Sequence, residues 1–326
     1  MLYCLHNALE HIPLFFERYS ETGRFSWPGG YFTPGYVAVA AAAISDRGLP
    51  RQDLSCLDQR VEDYLSAVAF HQAVWGVDEY HFSRVNAGFN YAPLTALRGQ
   101  FDVDTSTASI NGCLRQMARQ GRDYTQSPAF GELTHVVGEL HDNVWSHGKN
   151  TGFSLAQRRK VYGEDDYVLE FALADCGMGF LAELQRAKMG EVTTHRAAIE
   201  WCIEEGNSSK LAAAVDDWAQ SLPEDHVGSS PFGRVVETVE ATPNNHQGLG
   251  LAKLVSLAKM HQGDLYLASG NCLMHLDPSG TMSFRTLSYE WRGVAISLSL
   301  RESKLEEAKP VPDSLEIEQL MNKLRG

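Results

Sequence analysis

The run Glu139-Leu140-His141-Asp142-Asn143, followed by His147, carries a carboxylate, an amide and an imidazole at four-residue spacing. Residues four apart on a helix share a face, so Glu139, Asn143 and His147 form a polar stripe. A carboxylate and an amide one turn apart suit Mg²⁺, which takes hard oxygen ligands and keeps several waters. The solvated face of an amphipathic helix has the same pattern. A second motif, Asp175-Cys176-Gly177-Met178-Gly179, directly follows an apolar run. A carboxylate at a strand end can accept a hydrogen bond from an exocyclic amine such as adenine N6. Gly177 and Gly179 permit unusual φ values and close approach of backbone to a ligand, and a tight strand-to-helix turn asks for the same residues. The third motif is Gly248-Leu249-Gly250-Leu251. It opens a periodic run whose first N–H groups would attract phosphate, or would simply be a glycine-rich cap.

Other nucleotide and metal signatures are missing. No GxxxxGK[ST] occurs, and the glycines at 248 and 250 lack the third glycine of a dinucleotide-binding turn. His135, Glu139 and His147 share a helical face, but without HExxH they read as polar surface rather than as a zinc site.

The elements that must position these residues follow from periodicity. Phe130, Leu133, Val136, Val137, Leu140 and Val144 lie on one helical face, predicting a helix over Phe130 to His147. Tyr167 to Ala174 is a β-type run, and Leu249 to His261 a helix closed by Gly263. Three short strands are expected over Asp264 to Ser269, Ser283 to Leu287 and Gly293 to Leu300, the last alternating as a half-buried strand does. Upstream, helices are expected over Val37 to Ile44, Leu54 to Val68 and Thr105 to Gln120. Arg158-Arg159-Lys160 reads as a solvated helix end, and Ser314 to Leu324 as a terminal helix. The stretch from Phe180 to Gln247 is long, with a helix near Thr194 to Glu205. A loop near Gly121 to Ser127 divides the chain into an α/β domain over residues 1–125, a second domain over 126–302 and a charged tail over 303–326.

The order and spacing of the three motifs resembles the GHKL superfamily of ATPases, which share the Bergerat fold. Glu139 to Asn143 looks like its N box, Asp175 to Gly179 like its G1 box and Gly248 to Leu251 like its G2 box. Gln262 to Gly270 is similar to the strand after the G2 helix. The resemblance covers about 170 residues and implies ATP and Mg²⁺ as ligands, with an α/β fold of helices layered on a mixed, mainly antiparallel sheet. It implies that Asn143 coordinates Mg²⁺ and that Glu139 orients or deprotonates the attacking water. Asp175 would bind the adenine amine, while Gly248, Leu249 and Gly250 contact phosphate and His147 stands beside them. Gly177 and Gly179 would hinge a lid between Phe180 and Gln247. The Gly-Thr of many members is replaced by Gly293-Val294. No phosphoacceptor helix precedes Glu139, so histidine autokinase activity is not expected. Asp53-Leu54-Ser55, Tyr64-Leu65 and Ala69-Phe70-His71 faintly resemble STAS-type sequences. The expected function is a Mg-dependent ATPase or nucleotide-driven switch. An anti-sigma-type serine kinase and a non-catalytic interaction module are the alternatives.

Composition narrows the partners. The net charge is −13, from 28 basic and 41 acidic side chains in 326 residues, so a nucleic-acid backbone would be repelled. No apolar run is long enough to span a membrane, and Met1 to His11 does not read as a secretion signal. Six scattered cysteines form no CxxC pair, which suits a reduced, cytoplasmic protein. The expected partners are an adenine nucleotide and a protein, with a homodimer left open.

Overall fold

The computed structural model describes residues 2–120, 123–144, 151–204 and 250–306. In chain order these form β1 (Leu2–Tyr3), α1 (Leu5–Thr22), β2 (Phe25–Trp27), β3 (Tyr31–Phe32), α2 (Pro34–Asp46), β4 (Leu54–Cys56), α3 (Gln59–Ala67), α4 (Phe70–Trp75) and β5 (Tyr91–Leu97). They continue with α5 (Gln100–Arg119), α6 (Pro128–Asn143), β6 (Gly152–Lys160), β7 (Tyr167–Asp175), α7 (Gly179–Arg186) and α8 (His195–Ile203). After residue 249 come α9 (Gly250–Met260), β8 (Asp264–Leu276), β9 (Met282–Arg301) and α10 (Glu302–Glu306).

The class is α/β, as the sequence leads one to expect. A five-stranded sheet runs in the order β5-β6-β7-β9-β8, and every pairing in it is antiparallel. The parallel pairings lie in two small sheets, β1 with β3 and β2 with β4. Residues on both sides of position 125 build the large sheet, since β5 precedes that position and β6 to β9 follow it.

Both faces of the sheet are covered, and this accounts for the composition of its strands. Along β7, Leu169, Phe171 and Leu173 join a core with α5, α6 and α9, whereas Ala172 and Ala174 face α1 and α2. Along β9, Ile296, Leu298 and Leu300 meet the first layer and Ala295 meets the second. The strand expected to be half-buried is therefore buried on both sides. The residues between its large apolar ones are small because α2 lies against them. α2 is itself alanine-rich and buried along nearly its whole length. At its start, a Cβ on Gly35 would come within 2.8 Å of Ser297 Cβ and 2.9 Å of Leu5 Cβ, so only glycine allows this approach.

Several expected boundaries move. The helix expected from Leu54 begins at Gln59, where Asp58 caps it through a bond from Arg60 N–H, and Leu54–Cys56 pairs with β2 instead. Leu57, whose spacing to Val61 and Leu65 continues the apolar face of that helix, is exposed. The two short runs at Ser283 and Gly293 belong to one strand, β9, which pairs with β8 in a long hairpin. Arg158-Arg159-Lys160 ends strand β6 rather than a helix. Arg158 is bound in a fork to Glu302 at 2.6 and 2.8 Å and stacked over Tyr167. The tail helix expected over Ser314 to Leu324 lies outside the described residues. No described helix is long and apolar enough to cross a membrane.

Candidate functional site

α6 starts where Ser127 accepts a hydrogen bond from Phe130 N–H, with Pro128 in its first turn. All six apolar positions of its expected face are buried. Glu139, however, does not sit on a solvated face. It is 4% exposed because α9 packs across it. A Cβ on Gly250 would lie 2.8 Å from Glu139 Oε2 and 3.1 Å from Glu139 Cβ, so glycine at 250 is what lets the helix start reach the carboxylate. His135 Nε2 approaches Glu139 Oε1 at 2.8 Å, and Lys253 Nζ, on the first turn of α9, lies 3.5 Å from the same oxygen. An imidazole and an ammonium group thus flank one buried acid. The His135–Glu139 spacing was legible as an i,i+4 pair. Lys253 had no local signal, because 114 residues separate it from its partner.

Asp175 ends β7 and is also buried. Its Oδ1 accepts from Gly177 N–H at 2.7 Å, and Val294 N–H donates to the carboxylate as well. Burial pushes its pKa up to about 6, and these two bonds oppose that rise. Gly293 packs directly on it. The Gly293-Val294 pair, read only as a departure from a family pattern, is therefore one wall of the Asp175 environment. Gly179 has φ of +73°, and a Cβ there would meet Arg292 O at 2.8 Å and Ser269 Oγ at 2.9 Å. Phe180 N–H donates to Ser269 Oγ at 3.1 Å, which pins the turn onto β8 as α7 begins. The Asp175–Gly179 motif therefore makes a strand-to-helix turn whose carboxylate is held rigidly.

The two regions lie at one end of the sheet. Asp175 is paired with Gly152 at the start of β6, and a Cβ on Gly152 would come within 2.6 Å of Val144 Cγ1. Val144 directly follows Asn143, the last residue of α6, which is half-buried. Glu139, Asn143, Asp175 and Gly250 are thereby linked through direct neighbours. His147, Gly248 and Leu249 lie outside the described residues. So does most of the expected lid. Of its described part, Phe180 to Glu204, α7 and α8 share a small apolar cluster around Leu184 and Ala198.

His141, in the middle of the first motif, has a structural role. It is fully buried, with Nδ1 2.8 Å from Thr107 Oγ1 and Nε2 2.8 Å from Ser154 Oγ. Ser154 donates its hydroxyl hydrogen to Ala172 O, so its oxygen accepts from Nε2–H, and Nδ1 accepts from Thr107. Burial holds the imidazole neutral, its pKa lowered to about 3. This chain ties α5, α6, β6 and β7 together beneath the candidate site. No family model, no curated protein and no solved structure matches the chain.

Proposed function

We propose that this chain binds ATP with Mg²⁺ in a GHKL-type pocket at the end of the sheet where β7, α6 and α9 meet. The observation that carries the reading is the contact of Gly250 with Glu139 at the same sheet end as Asp175. Three motifs far apart in sequence are joined by side-chain and backbone neighbours. The donor set also fits the ligand. A buried carboxylate fixed by two N–H groups has acceptor capacity left for an adenine amine. A helix start with Lys253 on its first turn suits phosphate. Asn143, one turn beyond Glu139, would hold Mg²⁺, which would offset phosphate charge when bound.

In this reading the protein's own groups do three things. Asp175 selects adenine through the amine. Lys253 and the first N–H groups of α9 draw in phosphate, and the approach of an anion to Lys253 weakens its hold on Glu139. Glu139, released from Lys253, orients a water. His135 keeps the carboxylate aligned from the other side. Hydrolysis then rests on positioning and electrostatics.

The deciding experiment is calorimetry of ATP with and without Mg²⁺. Asn143→Ala is expected to abolish the Mg²⁺-dependent part of ATP binding. An affinity equal to the parent's in that variant would end the reading. Glu139→Gln is expected to leave ATP affinity within about threefold and to lower turnover by roughly 10²-fold or more, the range of a general base. Parental turnover in that variant would remove Glu139 from water activation.

A further inference from the structure

A second cluster of ligand-type side chains lies in the first third of the chain, in elements the nucleotide reading does not use. Glu62 on α3, His71 on α4 and Glu79 just after α4 each point one donor atom into a common space, and those atoms all lie within 4.8 Å of one another. Their convergence is built by the backbone. Between α3 and α4, Ala69 takes φ of +62°, a left-handed conformation costly for any residue with a Cβ. Gly76, at φ of +77°, then ends α4 and turns the chain back. Arg84 fixes the returning segment, donating to both oxygens of Asp78 at 2.7 and 2.6 Å and to the carbonyls of Ser66 and Ala67 at the end of α3.

His71 is the observation that points to a ligand. Its side chain is 1% exposed, and neither ring nitrogen makes a hydrogen bond. Nε2 lies 3.2 Å from Glu62 Oε1 and Nδ1 3.5 Å from Glu79 Oε2, but the ring is turned so that neither contact has hydrogen-bond geometry. Buried imidazoles normally satisfy both nitrogens, as His141 does in this same chain. Glu62 and Glu79 also line a cavity of about 760 Å³ together with Tyr80 and His81, so the cluster has a route to solvent.

Arg51 supplies the positive charge between the two acids. Its Nη2 donates to Glu62 Oε1 and to Glu79 Oε2, each at 2.7 Å, and its Nε to Glu79 Oε1 at 3.1 Å. The Arg51 side chain is 27% exposed, so the guanidinium can swing outward without crossing the core. Cys56 Sγ rests 3.0 Å from the remaining oxygen of Glu62 and orients it.

We propose that Glu62, His71 and Glu79 form a binding site for a zinc-class divalent cation, with Arg51 as the counter-ion that the metal displaces. The donor chemistry selects the class. An imidazole with two carboxylates suits zinc and its first-row neighbours, whereas magnesium and calcium prefer oxygen alone. Metal–ligand bonds of about 2.1 Å bring tetrahedral ligands to roughly 3.4 Å from each other, so side-chain shifts of about an ångström close the site. Three protein ligands leave one position facing the cavity, the arrangement of an open site rather than a closed structural one.

The test is equilibrium dialysis of the full chain, freed of metal, against buffered Zn²⁺. It is run in a Cys4→Ser background, so that the Cys4–His6 pair, 2.8 Å apart, adds no second thiolate site. One zinc per chain is expected in that background. Glu79→Gln, at the cavity wall, should bind at least 100-fold more weakly while its circular dichroism stays unchanged. His71→Asn should do the same, and Arg51→Gln should bind as tightly or more tightly. Failure to reach one equivalent, or parental affinity in Glu79→Gln, overturns the site. Loss of binding in Arg51→Gln overturns the displacement. None of these results bears on ATP binding, which involves other residues.

Discussion

Alanine at position 293 is expected to destabilise the protein by about 3 kcal/mol, the upper end of what overpacking usually costs. A Cβ there would stand 2.1 Å from Asp175 O, 2.6 Å from Asp175 C and 2.5 Å from Asp175 Oδ1. Two of these obstacles are backbone atoms of the neighbouring strand, so no rotamer change relieves the clash. β7 and β9 would have to part where Ala174 pairs with Ala295, and the Val294 N–H bond to Asp175 would go with them. Urea unfolding measures the effect. Gly112→Ala is the matched control, because it lies inside α5 with nothing near its added Cβ. Removing a helical glycine there should stabilise by up to about 1 kcal/mol. If the 293 variant unfolds at the parental midpoint, β7 and β9 do not approach this closely.

Asp175→Asn is expected to lower ATP affinity by roughly 10- to 100-fold at pH 7.5, the range for losing a hydrogen bond to a charged group. The same substitution should leave stability at that pH unchanged or higher. The folded-state pKa of Asp175 is raised to about 6 by burial, above the ordinary 3.8. Between those values the folded chain holds a proton that the unfolded chain releases, so this group adds stability as the pH falls from above 6 towards 3.8. Above 6 the buried charge is a burden, and a neutral amide removes it while its oxygen still accepts from Gly177 and Val294. Binding runs the other way. An adenine amine needs the carboxylate, so ATP affinity should be full well above pH 6. It should then fall about tenfold per unit below it, while the Asn variant stays flat. Calorimetry at pH 7.5 and 5.0 separates the two readings. A structural aspartate would cost stability when replaced, and it would leave the pH dependence of binding untouched.

The two effects act on one contact from opposite sides. The glycine at 293 lets backbone pack onto a buried carboxylate, and that burial, opposed by the backbone N–H bonds, raises the carboxylate into a range where, in the proposed nucleotide reading, proton and amine compete for it. In the proposed nucleotide reading this group gives up stability for binding, as perturbed groups in binding sites commonly do.

Much of the helical layer was legible from local pattern. The six apolar positions of α6, the face of α5 with Ile110, Leu114 and Met117, and the course of α9 follow from the 3.6-residue period alone, because each helix has one buried face. The strand β7 was equally legible. The pattern was less informative where burial is two-sided or pairing is remote. β6 has a basic end in which Arg158 pairs with Glu302, 144 residues away, and Arg159 with Glu170 on the next strand, partners that the run Arg158-Arg159-Lys160 does not itself reveal. β9 looks like two pieces in sequence because its outer half, which precedes Gly293, pairs only with β8, is mostly exposed and is offset from the inner half by register shifts. α3 is shorter than its pattern because Leu57 continues the apolar spacing yet faces solvent.

The candidate sites divide along the same line. Residue types and spacing alone single out Glu139, Asn143, Asp175 and the glycines, because a donor type, a helical repeat and a glycine are properties of a short stretch of chain. They equally make the class α/β, through alternating periods of 3.6 and 2. Tertiary structure alone decides that Glu139 is buried against Gly250, that Lys253 and His135 hold it, and that Gly293 presses on Asp175. It alone gathers Glu62, His71 and Glu79 around Arg51. The physical reason is that burial and charge pairing are set by whatever arrives from elsewhere in the chain. A single segment encodes which groups it offers, and the packing of other segments sets the dielectric and the neighbours those groups meet.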